Sequence, residues 1–109
     1  MTKGDIVLLP FPFTDLSGTK TRPALVLIND TYDVTVAFIT SKIIKQEEHD
    51  LEVIPSIENG LRTDSIIKLN KLATIDKELV FGELGKLSNS NLEAIDKKLI
   101  EVFSIKLNS

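Results

Sequence analysis

Chemistry in this chain is most legible in DLSGTKTRPALVL, Asp15 to Leu27. One of only two arginines, Arg22, stands directly before Pro23. The proline ring disfavours helical geometry for Arg22 and pushes it toward an extended backbone. A guanidinium held this way can grip a phosphate with two parallel hydrogen bonds, and it stays charged at any cellular pH. Ser17, Gly18, Thr19, Lys20 and Thr21 precede it, offering hydroxyls, backbone donors and a second cation. The set suits a phosphodiester or another oxyanion. The plainer reading of the spacing alone is an arginine that caps its own loop or pairs with an acidic side chain, since arginine is common at surfaces.

Three further clusters carry polar chemistry. Thr40-Ser41-Lys42 ends an apolar run, so the Thr40 hydroxyl is either a donor to phosphate or ordinary β-branched filling. Arg62-Thr63-Asp64-Ser65 leads into another apolar run, and the plain reading pairs Asp64 with Arg62. The single histidine, His49, sits in Glu47-Glu48-His49-Asp50, which reads as a solvated acidic run. No HxH, HExxH or clustered carboxylate pattern asks for a metal, so no metal or other cofactor is expected. Ser17 lacks a GxSxG setting, and neither a P-loop nor GxGxxG is present.

The elements that must position these groups are short apolar runs separated by turn residues, the pattern of a small barrel or sandwich. Strands are expected at Ile6–Leu9, ended by Pro10 and Pro12, and at Ala24–Ile28 and Val34–Ser41. Thr14–Thr21 is expected as a loop, and Lys42–Asp50 as a polar stretch. Leu51–Ile54 and Ser65–Leu69, continuing to Ile75, complete the middle of the sheet. A tight helical turn at Asp76-Lys77-Glu78 and a bent strand over Phe81–Leu87 follow. The period then changes. Leu92, Ile95, Leu99, Val102 and Phe103 form one helical stripe, and Ser90 stands three residues before Glu93, the spacing of a capping box. The fold class is therefore mainly β with a C-terminal helix: a strongly curved antiparallel sheet with one side left for a partner.

At 109 residues the chain is expected to form one domain, residues 1–109, with a core large enough to need no staple. Cysteine is absent, which excludes disulfides and thiol nucleophiles. No charge-free apolar run approaches ~20 residues, so no membrane span or signal peptide is expected, and the reading is a cytoplasmic protein. The net charge is −3, with five basic against four acidic residues up to position 46 and eight against twelve beyond. That balance argues against coating duplex DNA, but it leaves room for a local site for a few nucleotides.

The order of these pieces resembles the MazF/PemK/Kid toxins of type II toxin–antitoxin systems. The likeness rests on Gly4-Asp5-Ile6-Val7, the polar loop into Arg22-Pro23-Ala24-Leu25-Val26-Leu27, and Phe38-Ile39-Thr40-Ser41. It continues through Gly60-Leu61 before Asp64-Ser65-Ile66-Ile67, then Leu72-Ala73-Thr74-Ile75-Asp76-Lys77 and Gly85-Lys86-Leu87-Ser88. The resemblance implies an SH3-like barrel, a homodimer, and metal-independent, sequence-specific cleavage of single-stranded RNA. It also implies inhibition by a small antitoxin, through which operator DNA is bound. Arg22 matches the family's catalytic arginine and Thr40 its catalytic threonine. Ser17, Gly18, Lys20, Thr21, Ser41, Lys42 and Ser65 match positions near the RNA groove. Splayed bases would stack on Phe11 or Phe13, unless these fill the core. Many members carry an acid, extra glycines or glutamine in the loop before the arginine; here the loop is shorter and its only acid, Asp15, lies early. The alternatives are a toxin of the same barrel type that inhibits a protein target such as DNA gyrase through its C-terminal end, and a regulatory module that binds antitoxin and operator DNA.

Overall fold

A computed structural model describes residues 1–11, 20–41 and 45–108, Phe11 by its backbone only. Six strands and one helix follow in chain order: β1 (Asp5–Phe11), β2 (Lys20–Asn29), β3 (Asp33–Ser41), β4 (Asp50–Val53), β5 (Ser65–Asp76), β6 (Gly82–Lys86) and α1 (Asn89–Val102). They build one antiparallel sheet in the order β4-β5-β3-β2-β1-β6. The sheet is a half-barrel closed off by the helix. Register shifts at Ile6/Val7, Val26/Ile28 and Ala37/Phe38 mark bulges, the device by which a sheet bends.

Curvature lets the sheet bury both faces. Ile6, Leu25, Leu27, Ala37, Ile39, Ile67 and Leu69 pack on one side, where Ile95 of α1 joins them and Leu99 and Val102 cover the margin. On the other side Val7, Leu9, Ala24, Val26, Val34, Val36 and Ile75 form a second cluster, with Phe38, Leu79 and Val80 against it. Neighbours along a strand face opposite ways, so β1 gives Ile6 to the first cluster and Val7 and Leu9 to the second, while β2 gives Leu25 and Leu27 to the first and Ala24 and Val26 to the second.

Several boundaries differ from those the residue pattern predicts. β1 runs through Pro10, which pairs with Thr21, because β6 stops at the Leu8–Gly82 pair and leaves that side with no strand requiring an N–H. β2 begins at Lys20, so Lys20 and Thr21 belong to a strand, and Arg22 lies inside it rather than at its mouth. Helix α1 is capped by Ser88, whose Oγ accepts from the Asn91 N–H at 3.2 Å, not by Ser90. Leu87 and Leu92 then occupy the flanking apolar positions of a hydrophobic staple, which the Ser90–Glu93 frame would not provide. Phe103 is 57% exposed: the helix ends at Val102 before its ring can reach the stripe. The expected helical turn is a single 3-10 turn, Lys77–Leu79, where Asp76 Oδ1 accepts from the Glu78 N–H at 2.9 Å.

The acidic run is solvated only in its first half: Glu47 and Glu48 are exposed, whereas His49 and Asp50 turn inward. Asp50 is fully buried and Lys68 is 3% exposed, and the two face each other across β4 and β5. Lys68 Nζ lies 3.0 and 2.9 Å from the two Asp50 carboxylate oxygens and donates to Glu47 Oε1 at 2.6 Å. The Glu47 N–H adds a bond to Asp50 Oδ2 at 2.7 Å. The hydrogen bond to Glu47 raises the Lys68 pKa; burial opposes this, and Asp50 reinforces it. His49 is half-buried, and its shielded Nδ1 has no hydrogen-bond partner among the described residues.

Candidate functional site

Pro23 governs the local geometry of the site. The β2–β3 ladder ends at the Ala24–Phe38 pair, immediately beside this residue without an N–H, although β2 extends back to Lys20 and β3 forward to Ser41. Carrying the same antiparallel count past that pair sets Arg22 opposite Thr40, and Thr21 opposite Ser41. Alternation then sorts the four residues. Arg22 and Thr40 share the face of Phe38 and Ala24, with Lys20 two positions before Arg22 on the same face. Thr21, Pro23 and Ser41 share the other face.

Row by row, the first face reads Glu52–Ile66–Thr40, then Arg22–Leu9. Arg22 and Lys20 are exposed, and Thr40 is half-buried. The residue pattern did not single out Glu52, a carboxylate two strands from Thr40, because pairing across the sheet joins residues distant in the chain. One pleat repeat behind this row lies Asp50–Lys68–Phe38. Phe38, the residue paired with Lys68, precedes Thr40 by two.

On the other face, a cleft of about 360 Å³ opens where the strands part. Thr21, Ser41 and Ser65 line it with Arg62 and Thr63, over a floor that includes Leu8, Pro23 and Leu61. Ser65 pairs with Ser41 across β3 and β5 and is buried, its Oγ donating to the Thr63 carbonyl at 2.9 Å. The structure therefore brings Thr21, Ser41 and Ser65 together, but on the opposite face from Arg22 and Thr40. Ser17, Gly18, Lys42 and Phe13 lie outside the described residues. The expected Arg62–Asp64 pair does not form: Arg62 takes part in no hydrogen bond or ion pair among the described residues. Nor do the described residues include a group of three or more His, Asp or Glu side chains able to hold a metal.

Asn59, buried in the loop between β4 and β5, was not legible as a structural residue. Its Oδ1 accepts from the N–H groups of Ser56 (3.0 Å) and Leu61 (2.9 Å), and its Nδ2 donates to the Ile54 carbonyl at 2.9 Å. Gly60 adopts φ +71°, where a Cβ would stand 2.3 Å from the Leu84 carbonyl oxygen. These contacts dock the loop on β6 and fix the wall that carries Arg62.

Solved structures of the same shape are available for comparison. An endoribonuclease from a mycobacterial species, in complex with its cognate antitoxin, superposes with a TM-score of 0.77 at 18% identity over 99% of both chains. The Mycobacterium tuberculosis toxin MazF-mt6 gives 0.76 at 21% identity, covering 94% of this chain and 99% of its own. At these identities the likeness establishes the fold. No helix among the described residues is long and apolar enough to cross a membrane. The family model describing PemK-like, MazF-like toxins of type II toxin–antitoxin systems matches residues 2–103, and the chain belongs to that family.

Proposed function

We propose that this toxin is an endoribonuclease that cuts single-stranded RNA without a metal, with Arg22 and Thr40 as its catalytic residues. One observation carries the reading: the β2–β3 ladder ends at Ala24–Phe38, and the exposed Arg22 and half-buried Thr40 each lie two residues beyond that pair, on its face by alternation. The endoribonuclease neighbours of the same fold support it.

In the reaction the ribose 2′-hydroxyl attacks its adjacent phosphorus while the bond to the 5′ oxygen breaks. The products are a cyclic phosphate and a 5′-hydroxyl; the 2′ oxygen gives up a proton and the leaving oxygen takes one. The transition state gathers negative charge on the non-bridging oxygens. Arg22 stabilises that charge with two N–H donors, and Thr40 adds an O–H donor. Arginine is a poor base, since its pKa lies above ~12, so its principal role is electrostatic. Lys20, on the same face, strengthens the local positive potential for the incoming strand. A small antitoxin silences the enzyme, and the working unit is a homodimer.

Incubation of the purified protein with a long RNA in EDTA tests the reading. Cleavage by wild type, and its loss by roughly a hundredfold or more in Arg22→Ala, are expected. Growth arrest with RNA left whole would replace this reading with inhibition of a protein target. The exposed Phe103, Ile105 and Leu107 beyond the helix would then be the surface to examine.

A further inference from the structure

An arginine that stabilises a transition state works best when it is held in place beforehand, because a long side chain gives up much rotamer freedom on being fixed. Arg22 is exposed, and its neighbours on one face of the sheet follow from the pairing. Leu9 stands opposite it on β1 and is buried. Along β2 come Lys20, a like charge, and Ala24, a single methyl group. On β3 lie Thr40 and, diagonally through the Ala24–Phe38 pair, Phe38. Diagonal neighbours in an antiparallel pair stand about 7–8 Å apart, within reach of aromatic and long side chains. Among the described side chains around Arg22, Phe38 is the aromatic one, and the small Ala24 leaves the way to it open. The ring has a firm seat: Phe38 is half-buried and packs against the cluster of Val7, Leu9 and Ala24. Its β5 partner, Lys68, is already matched by Asp50 and Glu47, so that cation does not compete for the ring. The carboxylates in the rows of Phe38 and Thr40 lie farther off. Asp50 is taken by Lys68, and Glu52 belongs to β4, with β5 and β3 between it and β2.

We propose that the Phe38 ring is the platform on which the Arg22 guanidinium stacks, and that this contact aims Arg22 at the phosphate beside Thr40. A guanidinium is planar, weakly hydrated and drawn to the negative face of an aromatic ring. It stacks through its plane, so the N–H edge stays open to two phosphate oxygens. Stacking leaves the charge and the donors intact and removes the rotamers that point elsewhere. Phe38 is a positioning residue: it acts through Arg22 and touches no reacting atom. Its consequence for cleavage rests on the nuclease reading, whereas the contact itself is observable without RNA.

Two measurements test it. In NMR spectra of the wild-type protein without RNA, nuclear Overhauser contacts should join the Phe38 ring protons to the Arg22 Hδ protons, and those Hδ signals should lie upfield of their unfolded positions. In cleavage assays Phe38→Leu should lower kcat about tenfold while KM stays within about twofold. Phe38→Tyr, which keeps the ring, should retain most of the rate. Absence of the Phe38–Arg22 contacts in wild type overturns the stack, whether or not any variant folds. Equal rate losses in Phe38→Leu and Phe38→Tyr overturn it as well, since the ring would then matter only as core packing. An active wild type with unchanged kcat in Phe38→Leu overturns the positioning role alone. Contacts present in a wild-type protein that leaves RNA whole overturn the positioning role together with the nuclease reading.

Discussion

Lys68 and Asp50 face each other across β4 and β5 with almost no access to water, the ammonium 3.0 and 2.9 Å from the two carboxylate oxygens. Their row also includes Phe38, two residues before Thr40, so the ion pair lies on the same face as Thr40, one pleat repeat along the sheet. Burying two charges costs more than an exposed pair would, and here the cost is offset by Glu47 and by backbone donation to Asp50. The arrangement fixes the β4–β5 register, because a slip of β4 by one residue would send Asp50 to the other face and leave Lys68 buried without it.

Removing one partner should therefore be severe. Lys68→Met should lower the unfolding free energy by about 3–5 kcal/mol in urea, since Asp50 is left buried and uncompensated. The double variant with Asp50→Leu should recover most of that loss. A Lys68→Met cost no larger than that of an exposed pair would show that the pair is not buried in solution.

The same pair predicts an alkaline limit. The folded pKa of Lys68 is raised above its ordinary value of 10.5. Its contribution is fully present below that value and is lost as pH rises through the higher folded one. Thermal midpoints followed upward from pH 10 should fall more steeply in wild type than in the double variant. Parallel curves would mean that Lys68 does not titrate differently on folding.

Thr40→Val keeps the β-branched shape and removes only the hydroxyl. Cleavage should drop on the order of a hundredfold with no loss of stability. Full activity in this variant would remove Thr40 from the mechanism. His49→Ala should leave cleavage intact, since β5 and β3 lie between β4, which its turn precedes, and β2.

Helix capping separates two serines. Ser88→Ala should cost about 1 kcal/mol, whereas Ser90→Ala, inside the first turn, should be close to neutral. The reverse order in chemical denaturation would move the helix start to the Ser90 frame.

Gly85→Ala tests the wall of the cleft. A Cβ there would stand 2.2 Å from the Glu58 carbonyl oxygen, so the loop must shift. A loss of about 1–3 kcal/mol is expected in urea denaturation, and an unchanged midpoint would show that the loop yields without cost.

The sequence by itself determined the elements and the chemical types. Alternation and turn residues are local signals, so β3 and the helix stripe were legible, as was the pairing of an arginine with an extending proline. The tertiary structure decided which residues meet. Asp50 looked solvated because its neighbours are charged, and only β5, supplying Lys68 eighteen positions later, makes its burial tolerable. The resemblance sets Thr21 and Ser65 near an RNA groove, and only the assembled sheet, through strand pairing and alternation, decides that they line a cleft on the face opposite to Arg22 and Thr40. Proximity in the chain pairs Arg62 with Asp64. The folded loop turns it instead toward a cleft built from five separate segments, a neighbourhood that no local pattern encodes.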